Sequence, residues 1–128
     1  MAKILLIEDD DLMVRMYSRL FTLEGYETET AENGEAGFVK AKEWQPDLIL
    51  LDIMMPKMNG LEVIQKLKQD DRTRNITVIL LTNLGIQEKL DEAMRFGAAA
   101  VITKSNHSPE EVINIIKDAL AKTKANAA

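Results

Sequence analysis

Lys3-Ile4-Leu5-Leu6-Ile7, followed at once by Glu8-Asp9-Asp10-Asp11, decides how the rest of the chain is read. Four unbroken apolar residues, Ile4 to Ile7, are too short for a helix face and suit a strand buried on both sides, as in a parallel sheet. The run then ends in carboxylate. The same shape returns at Leu48-Ile49-Leu50-Leu51 followed by Asp52. A third run, Val101-Ile102-Thr103, ends in Lys104. Open α/β sheets carry their working residues at the carboxyl ends of the strands. Acids that converge there need a cation to offset their repulsion.

Between these runs the pattern alternates strand and helix five times. After the first strand, Asp10 or Asp11 caps a helix with the expected apolar stripe Met13, Met16, Leu20 and Leu23, closed by Gly25. Glu27 to Ala31 is polar for a strand and is expected at a sheet edge. Asn33-Gly34 opens a second helix expected to carry Ala36, Val39 and Trp44, and Pro46 precedes the strand Leu48 to Leu51. Ile53 to Gly60 is a loop, and the helix after it bears Leu61, Ile64 and Leu67 on one side. A charged loop, Asp70 to Asn75, leads to the strand Thr77 to Leu81, closed by Thr82. The fourth helix carries Ile86, Leu90, Ala93 and Met94 and stops at Gly97, before the strand Val101 to Thr103. Ser108-Pro109-Glu110-Glu111 is a helix start with a serine cap, proline in the first turn and glutamate three residues on. Val112, Ile116, Ala119 and Leu120 form the stripe of that last helix. Residues 1–122 are read as one domain, and 123–128 as a polar, Ala-rich tail that frays.

Such alternation with short loops means a parallel sheet with helices on both faces, a three-layer α/β/α sandwich. Five strands suggest the flavodoxin-like order 2-1-3-4-5, which makes the strands ending at Ile7 and Leu51 neighbours. At 128 residues the chain has room for one domain. With 46% apolar and 29% charged residues it reads as a globular protein. A net charge of −5 without a dense Lys/Arg run argues against direct nucleic-acid or membrane binding. The first residues are strand and acid, which is neither a signal peptide nor a membrane span. The absence of cysteine excludes disulfides and thiolate metal sites and fits a cytoplasmic protein.

Glu8 and Asp9 end one strand and Asp52 ends its expected neighbour, so one cation can reach all three. All-oxygen ligation suits Mg²⁺. Asp10 and Asp11 read instead as ordinary first-turn acids, favoured by the helix dipole. Thr82 adds a hydroxyl and Lys104 a fixed positive charge at the same edge. A carboxylate nucleophile, a divalent cation, a hydroxyl and an ammonium group together make a phosphoryl-transfer site. His107, the single histidine, has no neighbours in sequence to make it a nucleophile or ligand and reads as a surface loop residue.

Ile4 to Asp10, Pro46 to Gly60, Leu80-Leu81-Thr82 and Thr103-Lys104 resemble the receiver domain of bacterial two-component response regulators, in order and with family-like spacing from Lys3 to Leu120. The stretch from Asp52 to Gly60 is the specific part. The resemblance implies that Asp52 accepts a phosphoryl group from a histidine kinase or histidine phosphotransfer protein. It implies Mg²⁺ held by Glu8, Asp9, Asp52 and the backbone carbonyl of Met54, with Thr82 as switch hydroxyl and Lys104 as the family's lysine. It also implies an unidentified downstream protein target. The expected form is a stand-alone signalling module, a monomer or weak dimer, and not a dedicated enzyme.

Three positions depart from the family pattern: Val101 where an aromatic residue is common, Asn83 where a small one follows the threonine, and Ser105 where a proline follows the lysine. Met54 and Leu84 cannot orient a hydrolytic water, so slow self-dephosphorylation is expected. The rival readings are weaker. An aspartyl phosphatase would carry an acid where Met54 stands. A flavin carrier would need a Ser/Thr/Gly-rich loop after the first strand. A degenerate receiver, binding proteins independently of phosphorylation, is at odds with the intact set Glu8, Asp9, Asp52, Thr82 and Lys104.

Overall fold

Residues 2–53, 55, 58–82, 87–104 and 107–127 are described in this computed structural model; at 87–89 and 123–127 the description is of the backbone alone. In chain order the elements are β1 (Lys3–Ile7), α1 (Asp11–Leu23), β2 (Glu27–Ala31), α2 (Gly34–Trp44), β3 (Leu48–Asp52), α3 (Gly60–Gln69), β4 (Thr77–Thr82), α4 (Gln87–Arg95), β5 (Ala100–Thr103) and α5 (Pro109–Ala127). All strand pairs are parallel, in the order β2-β1-β3-β4-β5. The polar strand β2 is an edge, as its composition requires.

Alternation along each strand divides the core into two layers. Leu5, Ile7, Ile49, Leu51, Val78 and Leu80 face α2, α3 and α4, meeting Ala41, Ile64, Leu67 and Ala93. Ile4, Leu6, Leu48, Leu50, Ile79 and Leu81 face α1 and α5, meeting Tyr17, Phe21, Val112, Ile113 and Ile116. Each fully buried Leu or Ile contributes about 2 kcal/mol of transfer free energy, so the sheet is where the fold's stability is concentrated.

The helix ends are built as the sequence indicates. Asp10 caps α1 through the N–H groups of Leu12 and Met13. Asn33 caps α2. Ser108 and Glu111 exchange side-chain and backbone bonds of 3.2 Å at the start of α5. Gly25 and Gly97, with φ of 89° and 108°, take the left-handed turn after α1 and α4.

Three helix faces differ from the sequence expectation. In α1 the buried residues are Tyr17 and Phe21, with Met13, Met16 and Leu20 only partly covered and Leu23 74% exposed. The helix is apolar nearly all round, and the sheet takes the two aromatic rings because they bury the most area. In α2 the buried residues are Gly34, Gly37 and Ala41, while Ala36 and Val39 are exposed. A Cβ on Gly37 would lie 2.4 Å from Cδ1 of Ile7, so absence of a side chain lets this helix lie close on β1. Trp44 packs on the edge of the same core layer, with the Lys3 ammonium 5.4 Å from its ring centroid. In α4, Ala93 is buried and Met94 exposed, and Ile86 lies outside the described residues.

The backbone from 123 to 127 continues α5 as helix. Ala and Lys are strong helix formers, and propensity favours the spiral past Leu120, its last buried residue among those whose side chains are described. Among the described residues no helix is long and apolar enough to cross a membrane.

Candidate metal and phosphoacceptor site

Strand register builds the site. Ile7 pairs with Leu51, so the residues that follow, Glu8 and Asp52, arrive side by side. By alternation both belong to the α1 and α5 side of the sheet. Asp52 in turn pairs with Leu81, which brings Thr82 to the same edge from β4. Lys104 follows β5 directly. Glu8, Asp52 and Thr82 are buried, Lys104 is partly covered and Asp9 is exposed.

Carboxylate oxygens of Glu8, Asp9 and Asp52 lie within 4.8 Å of one another. The Lys104 ammonium stands 3.5 Å from Oδ2 of Asp52 and 3.7 Å from Oε2 of Glu8. One cation thus serves two buried acids. That leaves a surplus of negative charge, and Glu8 absorbs it by holding a proton. Its pKa is pushed up from 4.5 to about 8, first by burial, then by a side-chain hydrogen bond and the charge of Asp52, against the lowering effect of Lys104. The Glu8 carboxylate also accepts from the Asp10 N–H at 3.3 Å, tying the site to the cap of α1. Tyr17, in the layer below, has its phenol pushed up by burial and by the charge of Glu8.

The donor set is all carboxylate oxygen, hard and compact, with one ligand open to solvent. Such a set fits Mg²⁺, which keeps part of its water shell and takes few protein ligands. Glu8, Asp9 and Asp52 would hold the ion. The fourth expected ligand, the carbonyl of Met54, lies outside the described residues, as do Asn83, Leu84 and Ser105.

Two local features that the sequence reading missed hold Asp52 in place. Gly60 donates its N–H to the Ile53 carbonyl at 2.9 Å, folding the loop back on the strand end. A Cβ there would lie 2.7 Å from the Asp52 carbonyl oxygen and 2.7 Å from the Ile53 Cα. Asn59 and Glu62 form a reciprocal capping box that starts α3 beside the site. The Asn-Gly-x-Glu order is a legible cap signal. The close approach at Gly60 leaves no pattern in sequence. His107, expected in a surface loop, is half-buried, with Nδ1 3.2 Å from the Thr103 carbonyl oxygen.

Comparison with known proteins matches this geometry. The family described as response regulator receiver domain matches residues 4–117. The chain is 38% identical over 124 residues to the DNA-binding dual master transcriptional regulator RpaA of Synechocystis, covering 96% of this chain and 51% of that protein. It is 35% identical over 112 residues to the polar-differentiation response regulator DivK of Brucella anthropi, covering 88% of this chain and 91% of that one. The chain therefore spans about half the length of the first relative and most of the second. A CheY-like receiver domain protein from Methanospirillum hungatei superposes with a TM-score of 0.92 at 26% identity, covering 98% of both chains. Strand order, acidic cluster and family match agree: the chain belongs to the response regulator receiver domains.

Proposed function

We propose that this chain is a phosphoacceptor, and that Asp52 takes the phosphoryl group in a Mg²⁺-dependent reaction. One observation carries the reading: a carboxylate only 5% exposed ends β3 within reach of two further acids and 3.5 Å from an ammonium group. An Asp52 oxygen attacks phosphorus. The phosphorus–nitrogen bond of a donor phosphohistidine breaks, its electron pair stays on the imidazole, and an acyl phosphate forms on Asp52. Bound Mg²⁺ would neutralise charge on the phosphoryl oxygens. Lys104, 3.5 Å from Oδ2 of Asp52, supplies a second positive charge. The Thr82 hydroxyl, buried at the end of β4, offers a hydrogen bond to a phosphoryl oxygen. The protein's part is positioning and charge stabilisation.

The donor is a sensor histidine kinase or histidine phosphotransfer protein in the cytoplasm. The phosphorylated form shifts a population toward a different partner-binding surface. Self-dephosphorylation is slow, because the apolar residues Met54 and Leu84 cannot orient a water; a phosphoprotein half-life of seconds rejects that part.

Incubation with acetyl phosphate and Mg²⁺, followed by intact mass, tests the site. A single phosphoryl adduct is expected, lost with EDTA and lost in Asp52→Asn. An adduct that persists in that variant overturns the assignment.

A further inference from the structure

Phe38 stands half-exposed where α2 meets α3, and two ammonium groups address its ring. Lys42 Nζ lies 4.4 Å from the ring centroid and Lys66 Nζ 5.8 Å. An exposed aromatic face holds a cation only weakly, and a second cation beside it meets repulsion from the first. The acids that could relieve this are committed elsewhere. Asp70 accepts the Arg72 N–H at 2.8 Å and grips its guanidinium through both oxygens, at 3.2 and 3.1 Å. Glu62, one turn before Lys66, is turned to the Asn59 N–H in the capping box. Glu29 pairs with Lys40 at 3.3 Å. Among the described residues, no carboxylate forms an ion pair with Lys42 or Lys66. The Asp70 carboxylate feels the charge of Lys42 without pairing with it directly, so two positive charges share one aromatic platform on a protein of net charge −5.

Beside the ring is a shallow hollow of about 260 Å³ lined by Phe38, Lys66, Gln69 and Asp70. It lies toward the C-terminal ends of α2 and α3. In a parallel sheet flanked by returning helices, that is the end opposite the Asp52 edge.

We infer that the Phe38–Lys42–Lys66 face docks an acidic segment of another protein, one with carboxylates on either side of an apolar side chain. The apolar side chain lies on the ring and in the hollow, and the carboxylates meet the two ammonium groups. Separated carboxylates suit the site better than a dense polyanion, which the Asp70 carboxylate and the overall negative charge would repel. The surface works independently of phosphoryl transfer at Asp52.

The test uses the full chain labelled with ¹⁵N and a synthetic peptide of sequence Ser-Glu-Leu-Glu-Ser, with its Gln-for-Glu counterpart as control. Amide shifts are expected to centre on Phe38, Lys42, Lys66 and Gln69. The Gln peptide should bind at least several-fold more weakly, and high salt should weaken the Glu peptide similarly. The double variant Lys42→Gln/Lys66→Gln, whose ammonium groups form no ion pair in the fold, should lose the shifts while its circular dichroism stays unchanged. Equal binding of both peptides, no shifts, or shifts centred on Arg15 and Arg19 of α1 would overturn the proposal. The two peptides and the salt series read the outcome on the unaltered protein, whatever the variant does.

Discussion

The Nζ of Lys104 stands 3.5 Å from Oδ2 of Asp52 across a sequence separation of 52 residues. It is 3.7 Å from Oε2 of Glu8 as well. The ammonium keeps two buried acids together in the resting domain, and in the proposed phosphorylation it would also stand beside the incoming phosphoryl group.

Replacing that lysine separates the two tasks. Lys104→Met leaves two buried carboxylates facing each other, and breaking a buried pair costs on the order of 3 kcal/mol. The loss of stability should be largest in denaturant titrations near pH 9 without metal, and smaller near pH 5, where Glu8 holds its proton and the Asp52 contact alone is lost. Phosphorylation by acetyl phosphate should slow by roughly 10²-fold, as for loss of one preorganised charge contact. Equal destabilisation at both pH values would count against the shared role.

Protons and Mg²⁺ should compete at Glu8. Its pKa of about 8 in the fold lies above the ordinary value of 4.5, so the folded state holds a proton that the unfolded state gives up earlier. The Glu8 contribution to the stability of the metal-free domain is then full below about pH 4.5 and falls as pH rises toward about 8, levelling beyond. Mg²⁺ displaces the proton, so its apparent affinity should climb over the same window. Thermal melts with EDTA and with Mg²⁺, taken across pH, would show two curves that separate as pH rises. Parallel curves would be inconsistent with a protonated Glu8.

Gly60→Ala should damage both fold and site. The added Cβ meets backbone atoms of Asp52 and Ile53 at 2.7 Å, and neither can rotate away. Overpacking of this kind costs about 1–3 kcal/mol. Urea unfolding should show that loss, and the phosphoryl adduct on Asp52 should form more slowly.

The face of α1 can be checked by two substitutions. Phe21→Ala should cost about 3–5 kcal/mol, as for a large ring removed from a core. Leu23→Glu, at a position 74% exposed, should stay within about 0.5 kcal/mol of the parent. The reverse ranking would mean that Leu23 and not Phe21 meets the sheet.

These residues also show where the sequence was informative and where it was not. The strands were legible because a doubly covered strand has no polar face: Ile4 to Ile7 and Leu48 to Leu51 are buried throughout. The site followed from them, since Glu8, Asp52, Thr82 and Lys104 are simply the residues at which the apolar runs stop. The faces of α1 and α2 were misread for opposite reasons. α1 carries apolar residues in almost every direction, so periodicity does not choose among them. α2 turns glycine and alanine inward, a face that hydrophobicity does not mark. Gly60 and the lysine pair around Phe38 depend on atoms brought together from distant stretches, and a linear reading has no access to them.

The register of β1 also governs how the domain is made. Lys3 lies opposite Glu27 on one side, and Ile4 lies opposite Leu48 on the other. The first strand of this sheet to be synthesised is thus an interior strand. It stays without its second neighbour until β3 has left the ribosome, and nascent β1 presents an unpaired edge over that interval. A long-range closure of this kind is slow relative to helix formation. A pause in translation before Leu48 would therefore prolong the most aggregation-prone stage of this chain's biogenesis.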